Sequence, residues 1–166
     1  TGDVHPRSAM SLVNMAYAPS FNWADPNTRA LEAQALVPTF NDHPLELGLS
    51  GQEQRILALF RADSTYAPLF RRAFPSEADP FALANWMKAL AAFQRALISA
   101  NSPYDRYVRG DRAAISQAAK LGEELFFSER LECFHCHGGF TFTGTSDHVG
   151  KPFAEREFFN TGLYNI

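Results

Sequence analysis

Apolar residues recur along this chain every three to four positions, and no stretch keeps the every-second-residue alternation of a half-buried strand. Over 28–37 the spacing predicts a helix, and Pro38 is expected to stop it, because proline has no N–H to give the helix ladder. Ser50 and Glu53 read as a capping-box pair opening a second helix, whose apolar face is Ile56, Leu57, Leu59 and Phe60. A short helix is predicted over 65–73, ended by Pro75. The strongest signal follows: Asp79 as N-cap, Pro80 in the first helical position, and a run over 81–98 with Leu83, Trp86, Leu90, Phe93 and Leu97 on one side. Trp86 lies on that stripe and is expected in the core. Asn101, Ser102 and Pro103 break the pattern, and a domain boundary is expected there. The chain restarts through Tyr104, Asp105, Arg106 and Tyr107. A further helix is expected over about 113–127, with Ile115, Ala119, Gly122, Leu125 and Phe126 on one face. Residues 1–26, 38–49 and 133–166 carry the turn formers and read as loops. The predicted class is mainly α with long irregular loops.

Composition narrows the functional classes. The 166 residues, 46% hydrophobic and 20% charged, are those of a folded globular chain rather than a disordered one. A net charge of −3 offers no basic footprint for nucleic acid. No apolar run reaches the roughly 18 residues of a membrane span, and no secretory leader is visible at Thr1. Fifteen phenylalanines suit ring-on-ring packing or a flat ligand.

The chemistry is concentrated in one pentapeptide. Both cysteines of the chain lie in Cys133-Phe134-His135-Cys136-His137, which is the C-x-x-C-H signal for attachment of haem c. Two thiols three residues apart can each add to one haem vinyl group, and the adjacent His137 supplies an axial nitrogen to the iron. A thioredoxin-type redox pair would need a βαβ setting, and a zinc site would need further ligands. His43 and His148 are available for zinc, though not at a standard spacing. Chance assembly of the pattern is the remaining reading. His135 reads as a haem-edge or surface residue rather than a ligand. Haem c is attached outside the cytoplasm, so the motif implies a periplasmic protein.

Around this motif the chain resembles a known family. Ser102-Pro103-Tyr104-Asp105-Arg106-Tyr107, then Gly110-Asp111, Gly122, Leu125-Phe126-Phe127 and the haem motif look like the entry to the second haem domain of the bacterial di-haem cytochrome c peroxidase and MauG family. Upstream, Arg7-Ser8-Ala9-Met10-Ser11-Leu12-Val13-Asn14, Trp23, Leu31-Glu32-Ala33-Gln34-Ala35 and Pro44-Leu45-Glu46-Leu47-Gly48 follow the family's order of motifs. The tail, from the motif through Gly138-Gly139 to Asn160-Thr161-Gly162-Leu163-Tyr164-Asn165, is similar to a branch that includes the methanobactin-associated di-haem enzyme, which oxidises a tryptophan on a partner protein.

The resemblance implies cytochrome c-type helical haem domains. Residues 1–103 would be the C-terminal part of the first, peroxide-activating domain, and 104–166 the N-terminal part of the second. It implies that Cys133 and Cys136 bind the second haem with His137 as its proximal ligand, and that Trp23 relays electrons between the two haems. It implies further that Glu46 stands on the distal side of the first haem, with Gln34 and Pro38 lining that pocket. These types suit the chemistry. Cleaving the O–O bond of hydrogen peroxide needs a proton moved from the inner to the outer oxygen, which a carboxylate can carry. A distal role for His5 or His43 is a further candidate.

The departures shape the expectation. The family carries two C-x-x-C-H motifs and this chain carries one, so the first is expected upstream of Thr1 and the second haem's sixth ligand, Met or Tyr, beyond Ile166. Ser8 and Ala9-Met10 stand where family members often carry a calcium-holding Asn and an Ala-Pro, so the resemblance does not carry calcium to that position. The function implied is a di-haem oxidoreductase using hydrogen peroxide. It would either take electrons from a cytochrome c or a cupredoxin, or oxidise an aromatic residue on a partner protein. The alternative is a mono-haem electron-transfer module without catalysis, and a third reading is a fragment made without haem.

Overall fold

The computed structural model describes residues 4, 8–23, 25–150, 158–160 and 162. Among them the chain is helical with long loops. The one β-type pairing is an isolated bridge between Asp42 and Leu45, as a mainly α cytochrome c-type fold requires. The chain forms two compact units. One comprises residues 1–11 and 20–96, and the other residues 12–19 and 97–166.

Four helices make the first unit: α1 (Leu31–Phe40), α2 (Glu53–Ala62), α3 (Tyr66–Ala73) and α4 (Leu83–Ala96). The sequence placed three of their starts too early and ended α1 too soon. Thr28 stays outside α1 because its carbonyl accepts the Phe21 N–H at 3.1 Å and its hydroxyl donates to Asp25. Pro38 does not stop the helix but sits inside it. The lost N–H is offset on either side, where the Thr39 hydroxyl donates to the Ala35 carbonyl at 2.6 Å and the Asn41 N–H to Val37 at 2.9 Å. Ser50 is not the cap of α2. Gly51, at φ 74, delays the helix until Glu53, whose carboxylate reaches back to the Gly51 N–H at 3.2 Å. Asp79 does accept the Phe81 N–H at 3.1 Å, but α4 begins only at Leu83. The buried Asn85 donates to the Pro80 carbonyl at 3.0 Å and to Glu77 at 2.6 Å, which holds 80–82 out of the helix.

The buried line of α4 is Asn85, Met87 and Ala91, one position off the predicted stripe, and Phe93 is 60% exposed. α1 offers Leu31, Ala35 and Thr39 to the interior and packs on α4. A second cluster joins α2, α3 and the entry to α4. Phe70 stacks between Phe60 at 5.5 Å and Phe81 at 5.4 Å, and Trp86 meets Phe60 edge-on at 5.4 Å. Ala91 is fully buried, so its replacement by leucine must push this packing apart. Ala91→Leu is expected to destabilise the protein by about 1–3 kcal/mol. A lowered thermal midpoint would show it, and an unchanged midpoint would refute it.

In the second unit lie α5 (Pro103–Val108) and α6 (Gln117–Phe126). The chain's full capping box opens α5. Ser102 Oγ accepts the Asp105 N–H at 3.1 Å, and Asp105 accepts the Ser102 N–H at 2.7 Å, with Pro103 in the first turn. Ser116 caps α6, four residues later than predicted, through the Ala119 N–H at 3.1 Å. Ala119 and Gly122 are exposed, while Glu123 and Phe126 meet the unit's aromatic cluster. Residues 12–19 join this unit through Asn14. Its N–H donates to Leu97 at 2.8 Å, its side-chain amide donates to Ser99 at 3.1 Å, and its side-chain oxygen accepts the Ser99 N–H at 2.9 Å.

Among the described residues, five carboxylates are held below the ordinary range by hydrogen bonds to the ionised form: Asp25 by Thr28, Glu32 by Arg95, Asp63 by the Tyr66 N–H, Asp79 by Arg61 and Asp105 by Ser102. The unfolded chain therefore takes up protons first. The stability these bonds give is complete above about pH 5 and is lost as pH falls through the lower folded values. The thermal midpoint is expected to drop progressively below about pH 5. A midpoint that holds steady or rises there would contradict this.

Candidate functional site

The haem motif lies just beyond α6 in the second unit. Glu132 takes a left-handed turn at φ 54, and Cys133–His135 form one turn of 3-10 helix, closed by the His137 N–H donating to the Cys133 carbonyl at 2.9 Å. That turn brings both thiols, free and half-buried, and the His137 ring to one short piece of backbone. His137 Nδ1 lies 3.1 Å from the Phe142 carbonyl. A carbonyl only accepts, so Nδ1 is the donor there, and in the neutral ring this leaves the Nε2 lone pair for a metal. Rings surround this turn. Phe126 lies 6.4 Å from His137, Phe142 meets Phe126 at 5.7 Å and Tyr104 at 5.4 Å, and Phe127 faces Phe134 at 6.4 Å. Two thiols and a pre-oriented imidazole beside aromatic rings are groups that could hold haem c.

His135, inside the motif, does not share that orientation. It is exposed, stacks on Phe134 at 4.2 Å and lies 3.8 Å from Glu129. His148 packs edge-on against Phe140 at 5.3 Å, and its Nδ1 accepts the Gly150 N–H.

In the first unit a backbone bond draws the loop that carries Glu46 back to the end of α1, the helix that carries Gln34 and Pro38. Gln34 and Pro38 lie one turn apart on α1, both half-buried. The loop after α1 folds back on its end, where the Leu47 N–H donates to the Pro38 carbonyl at 3.0 Å and the Leu49 N–H to Thr39 at 3.1 Å. Glu46, the chain neighbour of Leu47, is exposed to solvent. Gly48 between those two bonds has φ 64, and a Cβ there would come within 3.1 Å of Leu45, so only glycine closes this turn without strain. Trp23 is set separately. Its ring is 54% exposed and its indole N–H donates to the Ser8 carbonyl at 2.8 Å. His43 is exposed on the loop that carries Glu46. His5, Arg7 and the tail positions Thr161, Leu163, Tyr164 and Asn165 lie outside the described residues.

Two features had no signal that sequence reasoning could use. The Phe142 carbonyl depends on a left-handed φ of 56 at a bulky residue, which nothing in the sequence marks. The Tyr104 hydroxyl donates to Glu123 at 2.9 Å, and burial, followed by this bond, pushes its phenol up to about 12. The approach of Tyr104 to α6 was not legible from helix spacing.

Comparison with known proteins sets this geometry in context. Residues 1–113 match the di-haem cytochrome c peroxidase family. The methylamine utilization protein MauG of Methylorubrum extorquens is 37% identical over 143 residues, covering 86% of this chain and 38% of that protein. Cytochrome c peroxidase Ccp of Escherichia coli is 30% identical over 161 residues, covering 97% of this chain and 32% of that protein. The crystal structure of a MauG-like protein associated with microbial copper homeostasis superposes with a TM-score of 0.90 at 38% identity, over 98% of this chain and 46% of that one. The chain thus spans less than half the length of these relatives. With two thirds of its residues in the family match and relatives of 30% identity or more along nearly all of it, the chain belongs to the di-haem cytochrome c peroxidase family, which includes MauG.

Proposed function

We propose that this chain is part of a periplasmic di-haem c oxidoreductase that uses hydrogen peroxide, and that it acts in the MauG manner, oxidising an aromatic side chain on a partner protein. The observation that carries the reading is the His137 ring, held by Phe142 so that Nε2 is free, next to Cys133 and Cys136. In this reading the two thiols form thioethers to haem c, and His137 Nε2 is its proximal ligand. When bound, the haem supplies one-electron redox chemistry. The chain's own residues do the rest. Glu46 would hold a proton and move it between the two peroxide oxygens, Gln34 and Pro38 would line the space beside it, and Trp23, an easily oxidised indole, would serve as an electron relay. Residues 1–103 belong to the peroxide-activating domain, and 104–166 open the second haem domain.

Identity supports the MauG manner over simple peroxide reduction. It is 37–38% to MauG and the MauG-like structure, against 30% to the peroxidase Ccp. That MauG-like neighbour, associated with copper homeostasis, also supports the narrower branch to which the tail is similar. Plain peroxidase activity, with a cytochrome c or cupredoxin as electron donor, is the second form of the same reading.

The intact mass of the denatured, purified full-length protein tests this, because thioether-bound haem survives denaturation. Two covalent haems, with peroxide turnover and oxidation of an aromatic residue on a co-purifying protein, are expected. Turnover that oxidises only a small redox protein would decide for the peroxidase form. One haem and no peroxide turnover would decide for an electron-transfer module.

A further inference from the structure

The carbonyl that aims His137 belongs to a residue in an unfavourable conformation. Phe142 has φ 56, which a bulky side chain rarely adopts, so its surroundings must hold it there. Its N–H donates to Gly139 at 3.2 Å, and the Gly144 N–H closes the loop on Gly138 at 2.8 Å. Its ring is gripped by three others: Tyr104 at 5.4 Å, Phe126 at 5.7 Å and Phe127 at 6.5 Å. Phe126 and Phe127 come from the end of α6. Tyr104 comes from α5 and has a polar anchor, since its hydroxyl donates to Glu123 on α6 at 2.9 Å. Its raised phenol pKa keeps it a donor at any working pH.

We propose that Tyr104, anchored to Glu123, is a positioning residue. Its ring buttresses Phe142, whose carbonyl orients His137 and tunes the iron that His137 ligates. The inference rests on the reading of His137 as the proximal ligand. Its physical content is electronic. The Nδ1–H bond to a carbonyl makes the imidazole a stronger donor at Nε2, which favours the more positive iron and lowers the reduction potential. Loosening Phe142 weakens that bond and should raise the potential.

The test is a spectroelectrochemical titration of the second haem in the full-length protein, with haem content read from the intact mass. Tyr104→Ala is expected to shift the oxidised-to-reduced ratio about tenfold toward reduction, a rise of about 59 mV for one electron. Tyr104→Phe keeps the ring and loses the anchor, so it should give a smaller rise. Glu123→Ala should match it, and combining the two should add nothing, because both remove one bond. A residue that only packs would lower thermal stability and leave the potential where it was. Tyr104→Ala with full haem content and the wild-type potential, or a lower one, overturns the proposal. If that variant does not accumulate with haem, Tyr104→Phe decides: a rise supports the proposal and no shift overturns it. Wild-type protein without covalent haem at Cys133 and Cys136 would overturn the underlying reading, and this inference with it.

Discussion

Replacing Cys133 and Cys136 together by alanine is expected to give a protein lighter by one covalent haem and without peroxide turnover. These are the chain's two cysteines, and no other residue in the motif can form a thioether. His137 alone would have to hold the group from an exposed position on a short turn. One coordination bond, in equilibrium with solvent, cannot replace two covalent links that survive denaturation. The first unit keeps its own core of Leu31, Ala35, Met87, Ala91 and the Phe60, Phe70, Phe81 cluster, so the variant should still fold in that region. The check is threefold: intact mass, the haem absorbance per chain, and peroxide consumption. Undiminished haem per chain in the double variant would show that the motif is not the attachment site. Full turnover with one haem fewer would show that the second haem is dispensable for chemistry.

How far the sequence could reach is plain from particular residues. The haem motif was legible because all its groups are adjacent in the chain and the chemistry demands that spacing. Five of the six helices among the described residues were legible in order, since each has a run of periodic apolar positions; α5, six residues opened by a capping box, has no such run and was not predicted. Their starts were not, because a start depends on which tertiary partner claims the first N–H and C=O groups. The Thr28 carbonyl is claimed by Phe21, the Pro80 carbonyl by Asn85, and the Pro38 carbonyl by Leu47, which draws the next loop back over a proline that should have ended α1. The second unit shows the same limit. Asn14 reaches Ser99 across 85 positions, a pairing with no period to betray it. Gln34, Pro38 and Glu46 could be grouped only through the family resemblance, because the backbone bond from Leu47 to Pro38 that returns the Glu46 loop to α1 leaves no periodic signal.

That bond also sets the second large expectation. Glu46→Gln is predicted to lower kcat for peroxide turnover by about 10²–10⁴-fold, the range for removing a positioned general acid–base, or about 3–5 kcal/mol of transition-state stabilisation. Glutamine matches glutamate in size and keeps an oxygen acceptor, so the loop fold should survive. The Leu47 and Leu49 N–H bonds and the left-handed Gly48 involve no part of the Glu46 side chain. What glutamine lacks is the ability to accept a proton from one peroxide oxygen and return it to the other. The loss should therefore fall on kcat rather than on thermal stability or haem content, both of which serve as controls. Gln34→Ala should cost less, since an amide beside the path can orient peroxide but cannot carry its proton. Glu46 is exposed, and an exposed carboxylate with no task can be neutralised with almost no effect. A Glu46→Gln variant within a few-fold of wild-type kcat would thus place the residue on the surface as a solvated charge, and the proton carrier would have to be sought elsewhere in the full-length protein.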